Sequence, residues 1–275
     1  MAASCPLILV TNDDGIRSPG LLAAVAALEE LGELLIAAPV TQQTGMGRGA
    51  PPVIGGHVEE VVLQVRDHKV RAYAISGSPA QVVLYAVLVL APRRPDLVVA
   101  GINYGENIGT TVTVSGTVGA ALQAAELGIP GLAVSLETDK AYHYNHGEGL
   151  DWRAAAHMTR YFARAMLRRQ LPFDVDVLKI DVPADATPET PWRVTRQSRQ
   201  PYYEVFRVDE EQRPGEPVKL DYRTYANWKH EPPDTDLYAL ARERMIAVTP
   251  LSQDLTSRTD LRALEKLLRC AGEET

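Results

Sequence analysis

The chain has 275 residues, 45% of them hydrophobic and 23% charged, with a formal net charge of −7. Those proportions belong to a folded globular protein of one large or two small domains, and the negative charge disfavours non-specific nucleic-acid binding and gives no general attraction for anionic substrates. Two cysteines, Cys5 and Cys270, make no disulfide framework, and the opening MAASCPLILVTNDD has neither a basic leader nor a membrane-length apolar run, so a reducing, cytoplasmic setting is expected.

The first element is the apolar run Leu7–Val10, which reads as a strand buried on both faces. It runs into Asn12-Asp13-Asp14-Gly15, where two adjacent carboxylates meet a glycine that permits a sharp turn. Two readings stand for this pair: a solvated Asp-Gly turn, or a site where a hard divalent cation relieves the repulsion. Pro19 suits a first helical turn, and Leu21–Leu31 has helical period, stopped by Gly32. Leu34–Ala38 is a second buried strand ended by Pro39, which completes a βαβ unit with parallel strands. Val40–Gly56 reads as a loop at the same sheet edge as Asp13 and Asp14.

Two strands follow, Val58–Val65 and Lys69–Ile75, then a helix over Ala80–Leu90. Asp96–Ala100 is another buried strand, leading into Gly101-Ile102-Asn103. Ser115-Gly116-Thr117 opens a small-residue helix over Val118–Leu127, and Leu132–Leu136 is the next strand. After a polar loop over 137–151 come a helix, Trp152–Arg169, and a strand, Val175–Val182. Beyond Pro183 the composition turns to Pro, Arg, Tyr and Glu without helical period. Trp192–Val194 and Tyr202–Val208 read as short strands or a hairpin. Leu237–Glu243 and Met245–Val248 are expected to return to the core sheet before a last helix, Thr259–Cys270. The expected architecture is α/β, a Rossmann-like three-layer sandwich with a mostly parallel sheet. Its core covers about residues 1–185 and an extension about 186–275 within one 275-residue domain.

Three strands of this pattern end in polar, turn-rich segments, at Asp13-Asp14, before Thr44, and at Asn103. In a parallel sheet such ends share the edge where ligands bind. Carboxylate, hydroxyl and amide oxygens suit Mg²⁺, Mn²⁺ or Ca²⁺ better than zinc. Taken singly, Thr44 and Asn103 also read as plain loop residues. Ser115-Gly116-Thr117 is a helix start whose free N–H groups suit an anion, or a simple N-cap. No GxGxxG follows the first strand, no Walker lysine is present, and none of the six histidines lies in a zinc-binding context, which argues against a nicotinamide dehydrogenase, an NTPase and a zinc enzyme. His143 and His146 are read as surface residues of a polar loop, and His230 and Asp234 as ordinary residues of the extension.

Longer motifs carry a resemblance. ILVTNDDG at 8–15, GSPAQV at 77–82, VVAGINYGENIG at 98–109, SGTVGAALQAAELGIP at 115–130, RVTRQSR at 193–199, DTDLYAL at 234–240 and VTPL at 248–251 resemble the survival protein SurE family of 5′-nucleotidases, in order along nearly the whole chain. The resemblance implies hydrolysis of nucleoside 5′-monophosphates, with some breadth toward 3′-nucleotides and polyphosphate. It also implies one divalent cation per subunit, held by Asp13, Asp14, Thr44 and Asn103, and a homodimer or homotetramer built partly by exchange of segments. Asp13, Asp14 and Asn103 are the expected catalytic groups. Asn12, Gly45, Asn103, Ser115, Gly116 and Thr117 are the expected phosphate contacts. The chain departs from the family pattern at Thr44 (serine), Val40 and Gln81 (aspartate), Tyr104 (arginine or lysine) and Arg48-Gly49 (His-Ser). A nucleotide- or phosphate-binding module with weak or no catalysis is the rival reading.

Overall fold

Leu7–Thr11 forms β1, buried along its whole length. Its side chains alternate as the period of a strand requires: Ile8 and Val10 enter one apolar layer, Leu7 and Leu9 the other. A computed structural model of the chain describes residues 5–50, 56–143, 149–208, 218, 220–224 and 230–271. In chain order β1 is followed by α1 (Pro19–Leu28), β2 (Glu33–Pro39), β3 (Val58–Val65), β4 (His68–Ile75), α2 (Pro79–Tyr85), β5 (Leu97–Tyr104), α3 (Gly116–Glu126), β6 (Gly131–Leu136), α4 (Arg153–Arg168), β7 (Val177–Val182), β8 (Trp192–Val194), β9 (Tyr203–Arg207), β10 (Leu220–Thr224), β11 (Ile246–Leu251) and α5 (Leu261–Ala271).

Nine strands make one sheet in the order β3-β4-β2-β1-β5-β6-β7-β11-β8. The pairings are parallel except β3 with β4 and β11 with β7. Residues of α1 and α4 fill the apolar layer on one face, and residues of α2 and α3 the layer on the other. This is the expected α/β sandwich with a mostly parallel sheet. The chain passes outward from β1 to β2 and returns to β5 on the other side. The strand order therefore reverses beside β1, the place where open α/β sheets leave a ligand crevice. No helix among the described residues is long and apolar enough to cross a membrane.

Three local expectations change. β5 runs on to Tyr104 instead of ending at Ala100, because its pairing with β6 resumes at Asn103 after a shift of register beyond Ala100. Such an irregularity re-aims the side chains that follow it. The segment after Asp236 is helical rather than a strand: Tyr238–Arg242 is a wide helical turn, and Leu237 and Leu240, three residues apart, pack together with Ile108 and Tyr202. Finally, the two short strands of the extension do not pair with each other. β8 joins the main sheet beside β11, and β9 forms an antiparallel ribbon with β10. Met245–Val248 does return to the core, as part of β11. Among α5 residues, Leu261, Leu264, Leu267 and Leu268 are all exposed.

Candidate active site

At the reversal beside β1, the polar ends of neighbouring strands meet. Asp13, Thr44, Gly45, Asn103 and Ser115 line one cavity of about 500 Å³. Asp13 and Asp14 are buried, 3% and 2% exposed. Between β1 and the helix, the Asn12 side chain donates to the Gly15 carbonyl at 3.0 Å and accepts from the Gly15 N–H at 3.2 Å. Asn12 therefore braces the turn that presents the two aspartates, and it does not line the cavity.

Asp13 lies against the start of α3. The Thr117 hydroxyl donates to Asp13 Oδ1 at 2.5 Å, and the backbone N–H groups of Gly116 and Thr117 add to the hold on this carboxylate. A side chain at position 116 would place its Cβ 2.7 Å from Asp13 Oδ2, so glycine is what lets the carboxylate approach the helix end. Gly116 and Thr117 are buried and reach the cavity through Asp13 rather than by lining it. Ser115 lines it while its hydroxyl oxygen accepts from Val118 N–H at 3.1 Å as the helix cap. Burial pushes the Asp13 carboxyl up to about 6, against the pull of the Thr117 hydroxyl and the helix-start amides. Burial, and then repulsion by Asp13, hold the Asp14 carboxyl well above its ordinary range.

Asp14 accepts from the Tyr104 N–H at 3.2 Å and from Gln42 Nε2 at 3.2 Å. The same Gln42 nitrogen donates to Thr44 Oγ1 at 2.8 Å and to the His143 carbonyl at 2.6 Å. Three oxygens thus gather around one polar hydrogen donor, the arrangement a hard cation also prefers. Asn103 uses its Nδ2 on the carbonyls of Tyr104 at 3.1 Å and Gly105 at 2.6 Å, which leaves its amide oxygen as the part available to a cation. Two buried carboxylates without a cationic partner among the described residues, and hydroxyl and amide oxygens beside them, fit a divalent cation with oxygen ligands. No group of three or more His, Cys, Asp and Glu side chains gathers among the described residues. Among the described residues, neutral oxygens are what is left to complete such a site.

The opposite wall holds residues that the sequence did not single out. Glu106, Tyr203 and Tyr222 line the same cavity, and so does His143, which corrects its reading as a surface residue. His143 is 9% exposed because it stacks on Tyr222, ring centres 6.1 Å apart, and shares a 3.0 Å hydrogen bond between its Nδ1 and the Tyr222 hydroxyl. Burial lowers its basicity. The β9–β10 ribbon brings in both tyrosines, and Lys140, bonded to Asp221 and the Tyr222 carbonyl, holds the ribbon in place. Nothing in the local pattern of the 137–151 loop signals this, since the partner lies far along the chain. His230 and Asp234 lie at the surface, and Asp234 accepts from Arg196 at 2.7 Å. His146 lies outside the described residues. Gln81, where the family pattern has aspartate, completes the cap of α2, its Oε1 accepting from the Ser78 N–H at 2.9 Å.

The sequence and the fold have known relatives. The family model described as Survival protein SurE matches residues 8–204. A protein named 5′-nucleotidase SurE from Thermococcus gammatolerans is 41% identical over 267 residues, covering 95% of each chain. One of the same name from Methanocella arvoryzae is 38% identical, covering 95% of this chain and 97% of its own. The crystal structure of the SurE protein from Aquifex aeolicus superposes with a TM-score of 0.76 at 28% identity, covering 96% of this chain and 100% of that one. With the family model spanning most of the chain and relatives this similar over nearly all of it, this chain belongs to the survival protein SurE family.

Proposed function

We propose that the protein is a metal-dependent 5′-nucleotidase, which hydrolyses nucleoside 5′-monophosphates to nucleoside and phosphate. The observation that carries this reading is the buried Asp13–Asp14 pair at the end of β1, of which Asp13 lines a cavity with Thr44, Asn103 and an aromatic wall while Asp14 lies just behind it against Gln42. The names of the relatives point the same way. Asp13, Asp14, Thr44 and Asn103 would hold one divalent cation, Mg²⁺ or Mn²⁺. Bound there, the cation supplies positive charge for phosphoryl oxygens and a more acidic water.

The chain's own residues supply the rest. The Asp13 carboxylate, pinned at Oδ1 by the Thr117 hydroxyl, is the acceptor for the proton of an attacking water. Gly45 and Ser115 bound the space for the phosphate. Tyr203 and Tyr222 give the nucleoside an apolar face, and base stacking on aromatic rings tolerates any base. In this reading the segment after about residue 185 serves assembly. The exposed leucines of α5 support a homodimer or homotetramer in which that helix packs on another subunit. The setting is cytoplasmic.

Incubation of the pure protein with AMP or GMP and Mn²⁺ should release inorganic phosphate, and a chelator should stop it. Asp13→Asn and Asp14→Asn should each lower the rate at least about a hundredfold. Wild-type rates in either variant at matched metal would refute the assignment. Retained nucleotide binding without phosphate release from the wild-type protein would favour a binding module.

A further inference from the structure

Glu106 has no part in the chemistry above, yet it is a buried acid in the wall of the same cavity. It is 4% exposed. Its Oε1 accepts from the Tyr203 hydroxyl at 2.9 Å and the Tyr202 phenol also draws on the carboxyl, while its buried Oε2 has no well-formed hydrogen bond among the described residues. A buried carboxyl oxygen left without a donor costs free energy, so it asks for a ligand. Rotation about the last side-chain bond of a glutamate is soft and can exchange the two oxygens. Two neighbouring polar residues of this wall are already engaged. Asn107 donates its N–H to Asp181 at 2.7 Å and its Nδ2 to Ser135 at 2.8 Å, and the Thr111 hydroxyl donates to the Ile108 carbonyl at 2.6 Å.

Position argues for which part of a nucleotide this oxygen meets. Glu106 follows Asn103 by three residues, a stretch of chain that reaches at most about 10 Å. In a 5′-monophosphate the sugar is the group joined directly to the phosphate, and the base lies beyond it. Aromatic faces suit the base, whereas a carboxyl acceptor suits the hydroxyl donors of ribose, as acidic residues in other nucleotide sites do. We propose that Glu106 reads the sugar, accepting a hydrogen bond from a ribose 2′- or 3′-hydroxyl, so that this chain prefers ribonucleotides to deoxyribonucleotides. The inference rests on the nucleotidase reading and adds a specificity to it.

The test compares kcat/KM for AMP, 2′-deoxy-AMP and 3′-deoxy-AMP, in the wild-type protein and in Glu106→Met, which keeps the length of the side chain and removes both oxygens. The wild-type protein should favour AMP over at least one deoxy substrate by about tenfold or more, the usual cost of leaving a buried polar group without its partner. In Glu106→Met that ratio should fall to near one. Calorimetric titration of the wild-type protein with adenosine and with the two deoxyadenosines should show the same preference in binding alone. Equal use of AMP and both deoxy substrates by the wild-type protein overturns the proposal without any variant. So does a preference that survives Glu106→Met, or a variant that alters the ratio of GMP to AMP and leaves the ribose preference intact. Failure of the underlying reading looks different: the wild-type protein would release phosphate from no nucleotide.

Discussion

At the scale of single residues, the chemistry of the cavity comes from what burial does to acids. Glu106 is held up to about 7 by burial, against the opposing pull of the Tyr202 and Tyr203 phenols. The fold therefore favours its uncharged form, whereas the unfolded chain ionises it near the ordinary 4.5. Between those values the folded state holds the proton more tightly, so stability falls as pH rises through the window and is flat in this group above it. The loss reaches about 3 kcal/mol, and in Glu106→Gln this share of the pH dependence should vanish. Urea unfolding at pH 5 and pH 7.5 measures it; an unchanged difference between wild type and variant would contradict the assignment. Gln42 bridges Asp14, Thr44 and the His143 carbonyl with one nitrogen. Gln42→Ala should weaken Mn²⁺ binding about tenfold, as loss of a group that orients ligands does, and calorimetric titration would show it.

At the scale of elements, two devices set the site. One is the contact of α3 with β1, where Gly116 admits the Asp13 side chain. Gly116→Ala should push the carboxylate off the helix start. We expect hydrolysis to fall at least about tenfold while the protein stays folded, since misplacement of a reacting group costs far more rate than stability. Circular dichroism beside a phosphate-release assay separates the two. The other device is the buried ion cluster of β7. Lys179, wholly buried, bonds to Asp181 and lies 3.2 Å from Asp236. Asp181 in turn takes the Asn107 N–H, and Asp236 takes the N–H groups of Gly109, Ser198 and Leu237. The cluster thus fixes the loop after β5 to the segment that leads into β11. Lys179→Met leaves two buried carboxylates without their cation and should cost about 3–5 kcal/mol in urea unfolding. A loss under 1 kcal/mol would show that those carboxylates are neutral in the fold.

At the scale of the whole molecule, α5 has an apolar stripe that the described residues leave exposed. Leu264 and Leu268, one helical turn apart, are 39% and 64% exposed. A stripe of this kind is stable in water only against a partner. If α5 packs on another subunit as proposed, the double change Leu264→Asp and Leu268→Asp should give a species of smaller mass in light scattering after gel filtration, with the fold of the sheet retained. An unaltered mass would place the assembly surface elsewhere.

The sheet and its edge were legible in the chain itself. LILV in β1 and LVVA in β5 are apolar at every position because both faces of the strand are covered, and short runs of that kind declare themselves without a partner. The aspartates at the end of β1 were legible for the same reason, since they follow such a run directly. The helix of residues 238–242 was not, because a short apolar stretch fits either period until its neighbours are known. Nor could the sequence order the site. Thr117 meets Asp13 across 104 residues, and Gln42 meets the His143 carbonyl across 101. The aromatic wall forms only when the β9–β10 ribbon docks against the loop of His143. Local periodicity reports which face of an element is buried. It carries no information on which distant side chain arrives there, and that is decided by the register of strands and the docking of loops in the folded molecule.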